Sequence, residues 1–369
     1  MSTVERSSTA VEVVLGIDTH LDSHVVVALD QLGRRLGVLT VPTTSDGYRA
    51  LLSWAAGFGP LRSAGIEGTG SYGAGLTRYL KAKGIEVLEV ERPKRRHLRR
   101  RGKSDPIDAE AAARAVLSGE AAGKPKSGNG KVEMIRALRA ARCSAVKSKT
   151  QAANQLQNLV VTAPDGLRDR LRGLSTKALA TEAGRFRPGE RPSSPEEATK
   201  FALRSIARRY RALSEEIAQL DSQLARLVAE VAPGLLALPA VGTNHAATLL
   251  VVAGDNPERL RSEASFASLC GVAPIPASSG KTVRYRLNRG GDRDANRALH
   301  LICVVRMRER RTKEYVARRT AEGKTKREIM RCLKRYIARE VHRVLISTAA
   351  TSPSIRTEPR SRAIGTAIT

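Results

Sequence analysis

Apolar residues change their rhythm along this chain. Near the N-terminus they come in short β-branched runs, and beyond about residue 130 they follow helical spacing. The run Val13-Val14-Leu15-Gly16-Ile17-Asp18 predicts a buried strand that ends on a single carboxylate. Residues 24–30, with Val25, Val26 and Val27 in a row, and residues 36–41 predict two further strands. The turn at Gly33-Arg34 lies between them, so the three form a meander. Ser45-Asp46 are expected to cap a helix through Tyr48, Leu51, Leu52, Trp54 and Ala55 that stops near Gly57. Residues 62–67 predict a fourth strand running into Glu67, with Gly68-Thr69-Gly70-Ser71 immediately after. A short helix over 76–83, stopped by Gly84, and a fifth strand over 85–90 complete the region.

Three strands, helix, strand, helix, strand is a mixed α/β order. It suits a ribonuclease-H-like (RuvC-like) core better than a doubly wound nucleotide-binding fold. Residues 121–130 are polar and Gly-rich and read as a linker, residues 132–161 are helical in composition, and residues 164–195 look irregular. The next helix carries Ile206, Tyr210, Leu213, Ile217, Leu220, Leu224, Leu227 and Val231, spaced alternately four and three apart. Such a heptad seam predicts a coiled coil, either with helix 132–161 or with a partner chain. The turn Pro239-Ala240-Val241-Gly242 resembles the hairpin of helix-hairpin-helix modules, in which a glycine lets backbone N–H groups approach a phosphate. A Pro-, Ser- and Gly-containing loop over 271–282 and basic helices over 295–311 and 326–345 follow. The fold class is therefore α/β plus α. Its expected divisions are a tail (1–12), a RuvC-like domain (13–120), a linker (121–131), a helical coiled-coil region (132–232), a mainly helical C-terminal domain (233–348) and a disordered tail (349–369).

Charge narrows the partner. The chain holds 64 Lys plus Arg against 36 Asp plus Glu, a net charge of +28, which points to a polyanion such as nucleic acid. No stretch approaches the roughly 18 apolar residues of a spanning helix, so a membrane partner is not expected and a cytoplasmic, nucleoid-associated protein is. Cys143, Cys270, Cys303 and Cys332 form no Cys-x-x-Cys pair, which argues against a disulfide framework and a structural zinc site. Arg95, Arg96, Arg99, Arg100, Arg101 and Lys103 crowd one acid-free run, and so many like charges repel unless phosphate neutralises them.

Directly after that run stand Asp105 and Asp108, three apart and so on one face of a helix for which Ser104 is the expected N-cap. With Asp18 and Glu67 at strand ends they make four acids that the ribonuclease-H-like topology brings together. Close-packed carboxylates repel, and divalent cations resolve the repulsion; a pair of Mg²⁺ ions about 4 Å apart would serve phosphodiester exchange. His20 and His24 are expected to be structural, and Asp22, Asp30, Glu110 and Asp292 to be surface charges or caps, with Asp292 nearest the later serine loop.

Gly16-Ile17-Asp18, Ile66-Glu67-Gly68-Thr69-Gly70 and Lys103-Ser104-Asp105-Pro106-Ile107-Asp108-Ala109 resemble the motifs of the DEDD transposases of bacterial insertion sequences, the insertion-sequence one-ten family. Leu238-Pro239-Ala240-Val241-Gly242, Gly271-Val272-Ala273-Pro274 and Ser278-Ser279-Gly280-Lys281 resemble that family's second domain, so the likeness runs over about residues 12–348. It implies a recombinase that cuts and rejoins donor and target DNA, chosen with a structured guide RNA, and acts as a homo-oligomer, dimer or tetramer. It implies a serine nucleophile that becomes linked to DNA, which maps onto Ser279, with Ser278 as the alternative. It further implies Asp18, Glu67, Asp105 and Asp108 as catalytic metal ligands. Gly242, Lys281, Arg284, Arg286, Arg289 and Arg293 are expected to join the basic run in holding nucleic acid. A RuvC-like, metal-dependent DNA junction nuclease is the rival expectation.

Overall fold

The computed structural model describes residues 11–90, 104–121, 123–280 and 285–351. Five strands form one sheet: β1 (Val13–Thr19), β2 (Ser23–Asp30), β3 (Arg35–Pro42), β4 (Leu61–Glu67) and β5 (Glu86–Val90). Their order is β3-β2-β1-β4-β5, antiparallel through the β1–β2–β3 meander and parallel across β1, β4 and β5. This is the mixed ribonuclease-H-like sheet the element order implied.

The two faces of the sheet are covered differently. Strand side chains alternate between faces, so Val13, Leu15 and Ile17 point one way and Val14, Gly16 and Asp18 the other. The first set packs with Leu51 and Ala55 of α1 (Ser45–Ala56) and with Leu76 and Leu80 of α2 (Ala74–Ala82). Thr44, one residue ahead of the expected start, caps α1 by accepting a hydrogen bond from the Gly47 amide at 3.1 Å. The second face takes α3 (Asp105–Leu117), whose Ala109 and Ala113 bury against Val14, Val25, Val27 and Leu29.

Residues beyond the sheet are helical. α4 (Lys131–Val161) and α7 (Pro195–Val231) run antiparallel. Lys131 meets Glu230, Arg142 meets Asp221, and the Lys149 ammonium lies over Tyr210. Residues 164–195 are not irregular throughout. They form α5 (Asp165–Leu171) and α6 (Thr176–Gly184), which bury Leu167, Leu171 and Leu179 with Leu156 and Leu203 at the far end of the pair. At its near end Val132, Ile135, Leu224 and Leu227 belong to the C-terminal core. That core also includes Leu249 of α8 (Thr243–Ala253), Phe266 of α9 (Glu263–Leu269), Leu299 of α10 (Arg293–Arg306) and Ile337, which lies beyond α11 (Arg310–Ala321) on α12 (Lys326–Thr351). The heptad positions Tyr210, Leu213, Ile217 and Leu220 are only half-buried in this pairing.

Residues 123–130 are docked rather than loose. Gly123 bridges to Glu89 at the edge of β5, and Lys126 donates to the Val251 carbonyl at 2.7 Å near the end of α8. Asn256 holds the stretch from the C-terminal side, accepting from the Ser127 amide at 2.9 Å. The sheet domain and the C-terminal core are therefore strapped together. Among the described residues no helix is long and apolar enough to cross a membrane.

Candidate active site

β1 and β4 are parallel, with Ile17 opposite Ile66. Asp18 and Glu67 thus leave neighbouring strands at one level, roughly 5 Å apart along the backbone. The chain turns immediately after each. Thr19 Oγ1 donates to the Glu67 carbonyl at 2.9 Å, and Gly68 takes the left-handed conformation at φ 71°. Glycine is required there because a side chain in that region costs energy.

The other two acids arrive on α3, and glycines decide how close that helix comes. A Cβ built on Gly16 would stand 1.9 Å from the Ala109 carbonyl oxygen and 2.3 Å from the Ala113 nitrogen. On Gly65 it would meet Val116 Cγ2 at 2.6 Å and the Ala112 carbonyl oxygen at 2.8 Å. Each glycine lies two residues before an acid, hence on the same face of its strand. The first turn of α3, with Asp105 and Asp108, is therefore laid beside Asp18 and Glu67. Ser104 is the N-cap as expected, through its carbonyl, which accepts from the Ile107 and Asp108 amides.

Burial pushes the Asp18 carboxyl above its ordinary range; the His20 charge opposes this, and the charges of Glu67, Asp105 and Asp108 add to it. His20 stands within this group. Its Nε2 lies 3.2 Å from Asp18 Oδ2 and 3.4 Å from Asp105 Oδ2, and the three ligand atoms fall within 4.8 Å of one another. Two carboxylate oxygens and an imidazole nitrogen at that spacing fit a divalent cation. The sequence had set His20 aside. Its membership follows from the tight β1–β2 turn, in which the His20 amide donates to the Ser23 carbonyl at 3.1 Å. His24 is different: it pairs with Thr19 on the opposite face, is fully buried, and stacks on Tyr48 at 6.0 Å.

Ser278 and Ser279 lie in the C-terminal domain, exposed, on the loop between β6 (Ile275–Pro276) and β7 (Tyr285–Arg286). The base of that loop is closely built. Gly271 and Gly291 both have positive φ, and a Cβ on Gly291 would stand 2.6 Å from the Gly271 nitrogen. Asn296 donates to the carbonyls of Cys270 and Gly271 at 3.1 and 3.0 Å, and the buried Lys334 donates to Asn296 Oδ1 at 2.9 Å. Neither Asn296 nor Lys334 was singled out in the sequence, where each looks like an ordinary polar position of a helix. Asp292 caps α10 by accepting from the Ala295 amide at 2.8 Å, one of the roles expected of it. Asp30, expected at a surface or cap, is 1% exposed and closes the β2–β3 turn by accepting from the Leu32 and Arg34 amides.

Arg286, Arg289 and Arg293 are exposed, the first two lining a pocket of about 540 Å³ beside the ribbon. Gly242 caps α8 with open space where a side chain would stand, while the left-handed residue of that turn is Ala240, at φ 60°. Arg95, Arg96, Arg99, Arg100, Arg101, Lys103, Lys281 and Arg284 lie outside the described residues.

A sheet in this order, with acids gathered at the carboxyl ends of β1 and β4, defines a domain of the ribonuclease-H-like class. Comparison with known families is more specific. A family model for the DEDD transposases of IS110 matches residues 15–163, and one described as transposase of the IS116/IS110/IS902 family matches residues 232–317. The chain belongs to the IS110 family of transposases. It is also similar to an uncharacterised 43.6 kDa protein of insertion element IS110 from Streptomyces coelicolor, with 34% identity over 125 residues. That match spans 33% of this chain and 31% of the relative.

Proposed function

We propose that this chain is a transposase that cuts and rejoins DNA with Ser279 as nucleophile and a divalent-cation site built from Asp18, Glu67, Asp105 and Asp108. The observation that carries the proposal is the approach of Glu67, Asp105 and Asp108 to Asp18 at one end of the sheet, where burial raises the Asp18 carboxyl, the His20 charge opposes this and the charges of the three acids add to it. Mg²⁺, two ions per site, is the proposed cofactor; held by Asp18, Glu67, Asp105 and Asp108, it would supply positive charge for phosphodiester exchange. Ser279 Oγ loses its proton and attacks phosphorus, a Ser–O–P ester forms, the bond to the sugar oxygen breaks, and the departing oxygen takes up a proton, so that the net step moves one proton from serine to the leaving group. The exposed Arg286, Arg289 and Arg293, with Lys281 and Arg284, neutralise phosphate beside the loop. Asn296 and Lys334 hold the base of the loop in place.

Since serine and acids sit in different domains, the proposed centre is composite. The half-buried seam of Tyr210, Leu213, Ile217 and Leu220 is the proposed contact between copies in a dimer or tetramer. The basic run over 92–103 and Gly242 are proposed contacts to donor and target DNA or to a guide RNA. Sequencing RNA that co-purifies with the chain tests the guide directly.

The deciding experiment looks for a protein–DNA adduct that survives denaturation. It is expected in the wild type, absent in Ser279→Ala, and reduced at least about 100-fold in Asp18→Asn, several kcal/mol of transition-state stabilisation being lost. Cleavage without any adduct in the wild type would instead mark a water-using junction nuclease. Full recombination by Asp18→Asn would remove the metal assignment.

A further inference from the structure

We infer that His20 is a nitrogen ligand of the cation site, and that the centre consequently takes Mn²⁺ in preference to Mg²⁺. The inference rests on the proposal that Asp18 and Asp105 hold a cation, and it adds a donor that changes which cation.

Geometry is the first ground. Adjacent ligands of a six-coordinate ion with bonds of about 2.1–2.2 Å stand roughly 3 Å apart. His20 Nε2 stands 3.2 Å from one Asp18 oxygen and 3.4 Å from one Asp105 oxygen. Both oxygens therefore stand from the imidazole nitrogen at the spacing of neighbouring ligands on one ion, and one ligand atom from each of the three residues lies within 4.8 Å of the others.

Placement is the second. His20 follows Asp18 by two residues at the end of β1, and its backbone is fixed by the bond to Ser23. The β1–β2 turn is itself pinned to the end of β3, because the Thr43 amide donates to the Asp22 carbonyl at 3.1 Å and Thr43 Oγ1 to the Leu21 carbonyl at 3.0 Å. A ring on so constrained a turn is presented to the acids from outside, with its side chain 46% exposed.

The chemistry follows from the donor set. Mg²⁺ is a hard ion that takes oxygen ligands and gives up water reluctantly. Imidazole suits softer first-row ions, and Mn²⁺ accepts carboxylate oxygen and imidazole nitrogen together in the same octahedral arrangement. Replacing one oxygen by nitrogen therefore weakens Mg²⁺ relative to Mn²⁺.

Pulsed electron paramagnetic resonance on the full chain loaded with Mn²⁺ alone tests this. A ¹⁴N coupling of a directly bound imidazole is expected, converting to the ¹⁵N pattern when histidine is isotopically labelled. His24 cannot supply it, since it lies on the opposite face of the sheet. In His20→Gln the coupling should vanish, Mn²⁺ binding should weaken about tenfold or more, and the preference over Mg²⁺ should shrink by the same factor. Bound Mn²⁺ without nitrogen coupling would overturn the inference and leave the carboxylate site standing. Tighter Mn²⁺ binding in His20→Gln would also overturn it, marking His20 as a cation that competes with the metal. No Mn²⁺ bound to the wild type would remove the cation site altogether. The wild-type spectrum decides the matter even if the variant folds poorly.

Discussion

Asp18 sits in a setting unfavourable to a charged carboxylate. Burial comes first among the causes that raise it, and the acids around it add their charge. The folded chain therefore keeps that proton to higher pH than the unfolded one, so stability falls as pH rises from 3.8 through the raised value. Without divalent cations, Asp18→Asn should then melt higher than the wild type at neutral pH, by about 2–4 °C, in a thermal scan with chelator. Adding cation should close or reverse that gap, and a variant that melts lower in chelator would contradict the repulsion argument. Asp30 has the opposite sign: burial raises its carboxyl, but bonds from the Arg34 amide and guanidinium and the Leu32 amide bring it below 3.8. Its contribution should be present above pH 3.8 and fade as pH drops through the lowered value. The denaturation midpoints of wild type and Asp30→Asn should accordingly converge in acid. Burial, with Asp292 nearby, pushes the Cys270 thiol up to about 12. Alkylation at pH 8 followed by peptide mapping should find Cys270 unmodified while the chain is folded.

At the scale of elements, the contact that brings the proposed ligands together is α3 against Gly16 and Gly65. The backbone of α3 occupies the space a methyl would need, so Gly16→Ala should cost about 1–3 kcal/mol or more by urea denaturation. It should also impair cation binding, because the helix carrying Asp105 and Asp108 must back away. At the serine loop, Asn296→Ala would remove two bonds to carbonyls and strip the buried Lys334 ammonium of its acceptor. A loss of about 2–3 kcal/mol is expected. Much of this was legible in the chain. Gly16-Ile17-Asp18 and Gly65-Ile66-Glu67 repeat one pattern, glycine then acid on the same face of a strand, which marks a helix packing close beside a carboxylate. α5 and α6 escaped notice because seven and nine residues are too few to show periodicity, and such short helices hold only by burying Leu167, Leu171 and Leu179 against α4 and α7.

Over the whole molecule, a charge of +28 dominates how any polyanion would be met. Affinity for duplex DNA should fall steeply with salt, by about 10³-fold or more between 50 and 200 mM if six or more phosphates are contacted. A shallow dependence in a binding titration would mean that most of the cationic surface is not used. Two domains share this charge, strapped by residues 123–130, with Gly123 bridged to Glu89 and Lys126 docked onto α8.

The order of strands and helices in the sheet domain could be read from the chain alone, and the four acids and the serine loop were proposed from it. Each rests on local chemistry: side-chain alternation, turn residues, caps and short motifs. Tertiary structure alone decided that His20 joins Asp18 and Asp105, that the linker is docked, and that Asn296 and Lys334 support the serine loop. Those outcomes depend on which faces of separate elements meet in space. Sequence spacing cannot report that until the sheet and the helices have closed on one another.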